Sequence, residues 1–155
     1  MNPLTRESAA PSIELLLVED NFGDAMLAQE AFASARVANH MSVATDGEEA
    51  LRNLRADDRP RPDLILLDLN LPRMSGLAVL QAIKQDPSLC EIPVVVLTGS
   101  SAAADVCESY AHGANAYIVK PIHFEGLEEI VTALERFWFD VAALPSQRPA
   151  GTGQC

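Results

Sequence analysis

The run Leu64-Ile65-Leu66-Leu67-Asp68-Leu69-Asn70-Leu71-Pro72-Arg73-Met74-Ser75-Gly76 decides how the rest of the chain is read. Four aliphatic residues lead straight into an aspartate, and a proline and a glycine close the run. A short apolar run bounded by turn residues reads as a strand buried on both faces, as in a parallel sheet. Such a strand delivers its last residue to the carboxyl edge of the sheet, where open α/β folds keep their sites. Asp68 is that residue. An aspartate that only ends a strand is commonplace, so the weight falls on what shares the edge with it.

Working back towards the N-terminus, Ile13–Val18 is a second apolar run, and it ends in Glu19-Asp20. Asn21-Phe22-Gly23-Asp24 is turn chemistry, with Asp24 the expected helix cap. Ala25, Leu27, Ala28, Ala31, Phe32 and Ala35 then recur at helical spacing. Met41, Val43 and Thr45 alternate in a short strand, and a helix is expected over Glu48–Arg55. Towards the C-terminus, Leu77, Val79, Leu80 and Ile83 mark a helix stopped by Asp86-Pro87. Pro93–Leu97 is a doubly buried strand ending at Thr98, and Gly99-Ser100-Ser101 is the expected cap of a helix over Ala102–His112. Gly113 ends that helix in the left-handed conformation. Ala116–Val119 is a last strand, leading through Lys120-Pro121 into a long helix expected over Phe124–Leu144. Strict strand–helix alternation predicts an α/β fold, a doubly wound five-stranded parallel sheet with five helices. Residues 13–144 form one domain, flanked by a loose N-terminal arm (1–12) and a Pro/Gly-containing tail without structure (145–155).

The 155 residues are 48% hydrophobic and carry a formal net charge of −11, enough apolar material for one core and the wrong sign for nucleic acid or an anionic membrane. Cys90, Cys107 and Cys155 have no metal-ligand spacing and read as free thiols. No apolar run approaches the roughly 20 residues needed to cross a bilayer, and the expected location is the cytoplasm.

The sheet edge carries the chemistry. Glu19, Asp20 and Asp68 converge on it from adjacent strands, and unit charges of like sign about 4 Å apart repel by roughly 4 kcal/mol at an effective dielectric near 20. A hard divalent cation relieves this, and oxygen-only ligands select Mg²⁺, with Mn²⁺ able to substitute. Asn70 can add its backbone carbonyl. Lys120 supplies an ammonium suited to phosphate, and Thr98 a hydroxyl. A metal site, an ammonium, a hydroxyl donor and a lone carboxylate nucleophile are what phosphoryl transfer uses.

Val18-Glu19-Asp20-Asn21, the Asp68–Gly76 run, Val96-Leu97-Thr98 and Tyr117-Ile118-Val119-Lys120-Pro121 together resemble the receiver domains of two-component response regulators, over about Ile13 to Leu144. The resemblance implies a flavodoxin-like fold and a signalling protein, not a catalytic enzyme. Asp68 would be the acceptor of a phosphoryl group from a kinase histidine, and Glu19, Asp20, Asp68 and the Asn70 carbonyl would hold Mg²⁺. Lys120 would pair with the phosphate through a peptide to Pro121 that is cis in the family. Thr98 and Tyr117 would move together as the switch, altering the surface of the fourth helix, fifth strand and fifth helix for a partner or a phosphorelay. Phe22, Ser75 and Gly99 depart from the family's usual residues, which is expected to tune rates.

The last helix resembles, through Phe137-Trp138-Phe139, that of stand-alone regulators that partner bacterial and cyanobacterial phytochrome kinases. Its apolar stripe is longer than one sheet face needs, so a homodimer is expected through Leu134, Phe137, Trp138 and Val141. The alternative is that these aromatics pack back on the chain's own N-terminal arm. Functional alternatives are a partner-binding pseudo-receiver and an aspartyl-phosphate phosphatase of the dehalogenase type. The phosphatase needs an Asp-x-Asp pair on the first strand, and Asp68-Leu69-Asn70 lies on the third. A flavin binder needs a phosphate loop where Glu19-Asp20 stands.

Overall fold

The computed structural model describes residues 12–145, apart from the side chains of Asp140 and Val141. The expected arm and nearly all of the expected tail lie outside the described residues. The elements in chain order are β1 (Ile13–Val18), α1 (Phe22–Ala33), β2 (Asn39–Ala44), α2 (Gly47–Arg55), β3 (Leu64–Leu67), α3 (Gly76–Gln85), β4 (Val94–Thr98), α4 (Ala103–Ala111), β5 (Ala116–Val119) and α5 (Phe124–Leu134). A π-helical turn over Glu135–Val141 follows.

All strand pairs are parallel, in the order β2-β1-β3-β4-β5. The chain reverses its direction of travel across the sheet between β1 and β3. Their carboxyl ends therefore flank the one crevice such a sheet provides. The alternation of side chains along each strand divides the core into two layers. Leu16, Val18, Ile65, Leu67, Val94 and Val96 face α2 and α3. Leu15, Leu17, Leu64, Leu66 and Val95 face α1 and α5. Every residue of β3 and β4 is buried, which is why both read as unbroken apolar runs and not as alternating ones.

Several local expectations change. Asn21, and not Asp24, caps α1: its side chain accepts from the Asp24 backbone N–H at 2.9 Å, so the helix starts earlier and Asp24 falls in its first turn. Ala102 precedes α4 without a side-chain cap; Ser100 instead bonds Asp105 and accepts from the Ala102 N–H. Gly113 does adopt the left-handed conformation, at φ 97°. Cys107 is a free, exposed thiol, but Cys90 is disulfide-bonded, contrary to the expectation of free thiols throughout.

The last helix is shorter than expected. After Leu134 the winding widens, and the Ala142 N–H reaches the Phe137 carbonyl at 2.7 Å. Wider winding lets the consecutive Trp138 and Phe139 both pack on the chain's own core, where Leu134 is buried at 5% exposure. Leu134 is thereby removed from the expected dimer face, and Trp138 is largely committed within the chain. Phe137 remains 55% exposed. Its ring stands edge-on to that of Trp138, with centroids 5.2 Å apart. The Val141 side chain lies outside the described residues. No described helix is long and apolar enough to cross a membrane.

Candidate phosphoacceptor and cation site

The crevice between the ends of β1 and β3 holds the acidic residues. Val18 is the last residue of β1, so Glu19 and Asp20 follow directly at the rim, Glu19 buried and Asp20 exposed. Asp68 follows β3 and is buried, with its N–H donating to the Val18 carbonyl at 3.0 Å. One carboxylate oxygen from each of Glu19, Asp20 and Asp68 lies within 4.8 Å of the others. An all-oxygen cluster of this span fits a hard divalent cation such as Mg²⁺ or Mn²⁺.

Asp68 is held from three sides. Its Oδ1 accepts from the buried Thr98 hydroxyl at 2.9 Å and from the Asn70 N–H at 3.1 Å. Its Oδ2 accepts from Lys120 Nζ at 2.9 Å. Lys120 reaches the cluster from the end of β5, and its own N–H donates to the Thr98 carbonyl at 2.7 Å. The same ammonium binds Glu19 Oε2 and, at 3.1 Å, Asp24 Oδ2. Glu19 Oε1 accepts from the Asn21 N–H at 3.0 Å. Asn70 thus contributes a backbone donor to Asp68.

The charges set each other's protonation. Burial and the neighbouring Asp68 raise the Glu19 carboxyl to about 7, against the opposing pull of Lys120. Burial also acts to raise Asp68, but hydrogen bonds from Lys120, Glu19 and the Asn70 N–H outweigh it, and Asp68 sits below the ordinary aspartate value. Burial acts to lower Lys120, yet Glu19 and Asp68 hold it above the ordinary lysine range. Asp68 is therefore an ionised, oriented nucleophile beside a permanent cation, while Glu19 accepts the proton the pair can spare.

Two residues matter more here than the sequence alone suggests. A Cβ on Gly76 would lie 2.2 Å from the Asp68 carbonyl oxygen and 2.5 Å from Leu69 Cα, so only glycine lets α3 begin against the Asp68 backbone. Asp24 was read as a cap and is instead a partner of Lys120; no helical spacing marks it in the sequence, because Asp20 precedes the Asn21 cap and lies outside α1.

Tyr117 is half-buried, and its hydroxyl donates to the Ser100 carbonyl at 2.8 Å. The Lys120–Pro121 peptide is trans, since no described peptide bond is cis. The expected cis bond at Pro121 is thus corrected. An X–Pro bond prefers trans by only about 0.5–1 kcal/mol, so tertiary contacts choose the isomer. Here Lys120 reaches Glu19, Asp24 and Asp68 from the trans form.

Comparison with known proteins agrees with this geometry. The response regulator Rcp1 of Synechocystis sp. is 40% identical over 147 residues, covering 92% of this chain and 99% of that protein. The Mn(2+)-bound form of Rcp1 superposes with a TM-score of 0.80 at 40% identity, over 87% of this chain and 99% of the other. The phosphorylated cyanobacterial phytochrome response regulator RcpA gives a TM-score of 0.82 at 44% identity, with the same coverages. Residues 15–132 match the response regulator receiver domain model. With an acid cluster beside Lys120 suited to aspartate phosphorylation and a divalent cation, the chain belongs to the response regulator receiver domain family.

Proposed function

We propose that this chain is the receiver partner of a phytochrome-type histidine kinase and that Asp68 is its phosphoacceptor. The observation that carries the proposal is the double engagement of the buried Asp68 carboxylate, one oxygen on Lys120 and the other on Thr98. In the transfer, an Asp68 carboxylate oxygen attacks phosphorus and the new P–O bond forms as the P–N bond of the kinase phosphohistidine breaks. The imidazole nitrogen keeps the electron pair. Glu19, Asp20, Asp68 and the Asn70 carbonyl would hold Mg²⁺, which would supply charge neutralisation for the transfer.

Lys120 then donates to a phosphoryl oxygen and Thr98 turns its hydroxyl to another. Tyr117 follows Thr98 inward, giving up its bond to the Ser100 carbonyl, and this alters the surface made by α4, β5 and α5. That surface is where a partner or the next relay protein reads the state. The likeness to RcpA, a phytochrome response regulator, supports the kinase class. The exposed Phe137 ring, packed edge-on against Trp138, supports a two-fold contact between copies of this chain. Light scattering on Phe137→Ala tests it, with the mass of a dimer expected for the wild type and that of a monomer for the variant.

The central test is incubation with acetyl phosphate and Mg²⁺, read by intact mass. One phosphoryl group is expected on the wild type and none on Asp68→Asn. A wild type that no phosphodonor labels, phosphorylated kinase included, would favour a pseudo-receiver that only binds partners.

A further inference from the structure

We propose that Asp24 is a positioning residue for the transfer: in the resting protein it occupies the third N–H of Lys120, and it yields that donor to the arriving phosphoryl group. The inference rests on the reading of Asp68 as phosphoacceptor. An ammonium has three N–H donors and no acceptor. In the resting site all three are taken, by Glu19 Oε2, by Asp68 Oδ2 at 2.9 Å and by Asp24 Oδ2 at 3.1 Å. A phosphoryl oxygen on Asp68 gains a bond from Lys120 only when one of these is given up.

The three partners differ in what release costs. Glu19 is 3% exposed, so water cannot take the place of Lys120 at its carboxylate oxygen. Asp68 carries the phosphoryl group itself. The Asp24 side chain is 46% exposed, so water replaces the lysine at its oxygen with little loss. Asp24 also needs Lys120 least. It lies in the first turn of α1, where the helix N-terminus favours a carboxylate, and its N–H is held by the Asn21 side chain. It is outside the group of carboxylates placed to share a cation, which is Glu19, Asp20 and Asp68. Asp24 therefore competes with the phosphoryl group for Lys120 without belonging to the metal site.

The test follows labelling by acetyl phosphate at saturating Mg²⁺ in the wild type, Asp24→Asn, Asp24→Ala and Asp24→Glu. The Asn and Ala variants should label about two- to fivefold faster, the range an exposed ion pair commands, with Glu at the wild-type rate. In a Lys120→Met background the gain from Asp24→Asn should vanish. Asn and Ala rates at or below the wild type would overturn the proposal. So would a gain that persists without Lys120, which would assign Asp24 to simple repulsion of the anionic donor. A gain that disappears as Mg²⁺ reaches saturation would assign Asp24 to the cation and overturn it too. Absence of labelling in the wild type itself would remove the phosphoacceptor reading and this role with it.

Discussion

Replacing Lys120 with methionine removes the one side-chain cation, among the described residues, that touches Glu19, Asp24 and Asp68, while keeping most of the side-chain volume. Two of those carboxylates are 3% and 7% exposed and depend on it for charge balance. Breaking a buried ion pair from one side costs about 3–5 kcal/mol. The Lys120 side chain is itself 20% exposed, which places the expected loss at the lower end, about 3 kcal/mol at pH 8 without metal. Protonation offers an escape. Glu19 already titrates near 7 in the presence of the lysine, and without it both Glu19 and Asp68 must rise. A carboxyl raised above its unfolded value, about 4 for Asp and Glu, stabilises the fold below that value and ceases to do so as pH climbs through the folded one. The gap between variant and wild type should therefore be small at pH 5 and widen towards pH 8. Mg²⁺ at about a hundred times its dissociation constant should return roughly 2.7 kcal/mol. Urea unfolding followed by Trp138 fluorescence, at both pH values and with or without Mg²⁺, measures all of this. A variant as stable as the wild type at pH 8 without metal, or a loss independent of pH, would refute the charge-balance argument.

Three further outcomes are expected. Gly76→Ala drives a Cβ into the Asp68 backbone and should lower stability by about 3 kcal/mol, with loss of labelling, because backbone cannot yield as a side-chain tip can. Mg²⁺ needs ionised carboxylates, so its affinity in the wild type should weaken as pH falls through about 7, where Glu19 takes up a proton. Calorimetry in buffers of differing ionisation heat should then show proton release on Mg²⁺ binding, and none would contradict the raised Glu19 value. Thr98→Val keeps the shape at a buried position but deletes the hydroxyl donor to Asp68, and should cost the metal-free protein about 1 kcal/mol of stability, read as a lower urea midpoint.

Much of this was legible in one dimension. Strands buried on both faces leave apolar runs, unbroken in β3 and β4 and interrupted only by Glu14 in β1, so all three announced themselves, and with them the residues at the rim: Glu19, Asp20, Asp68 and Thr98. The alternation of strand and helix then determined a parallel sheet, and a parallel sheet determined that those ends meet. The sequence by itself could not say how Lys120 divides its three donors, because that depends on which side chains from β1, α1 and β3 stand within reach. Nor could it show that Gly76 is pressed against Asp68, or that Asn21 and not Asp24 caps α1. At the C-terminus, helical periodicity continued through Phe137-Trp138-Phe139, and only packing against the α1 side of the core turned that stretch into a wider π turn. The isomer of the Lys120–Pro121 bond was likewise decided by tertiary structure. The physical divide is one of range: burial and turn chemistry act between near neighbours in the chain. The balance of charge at a site is a sum over groups that only the folded chain brings together.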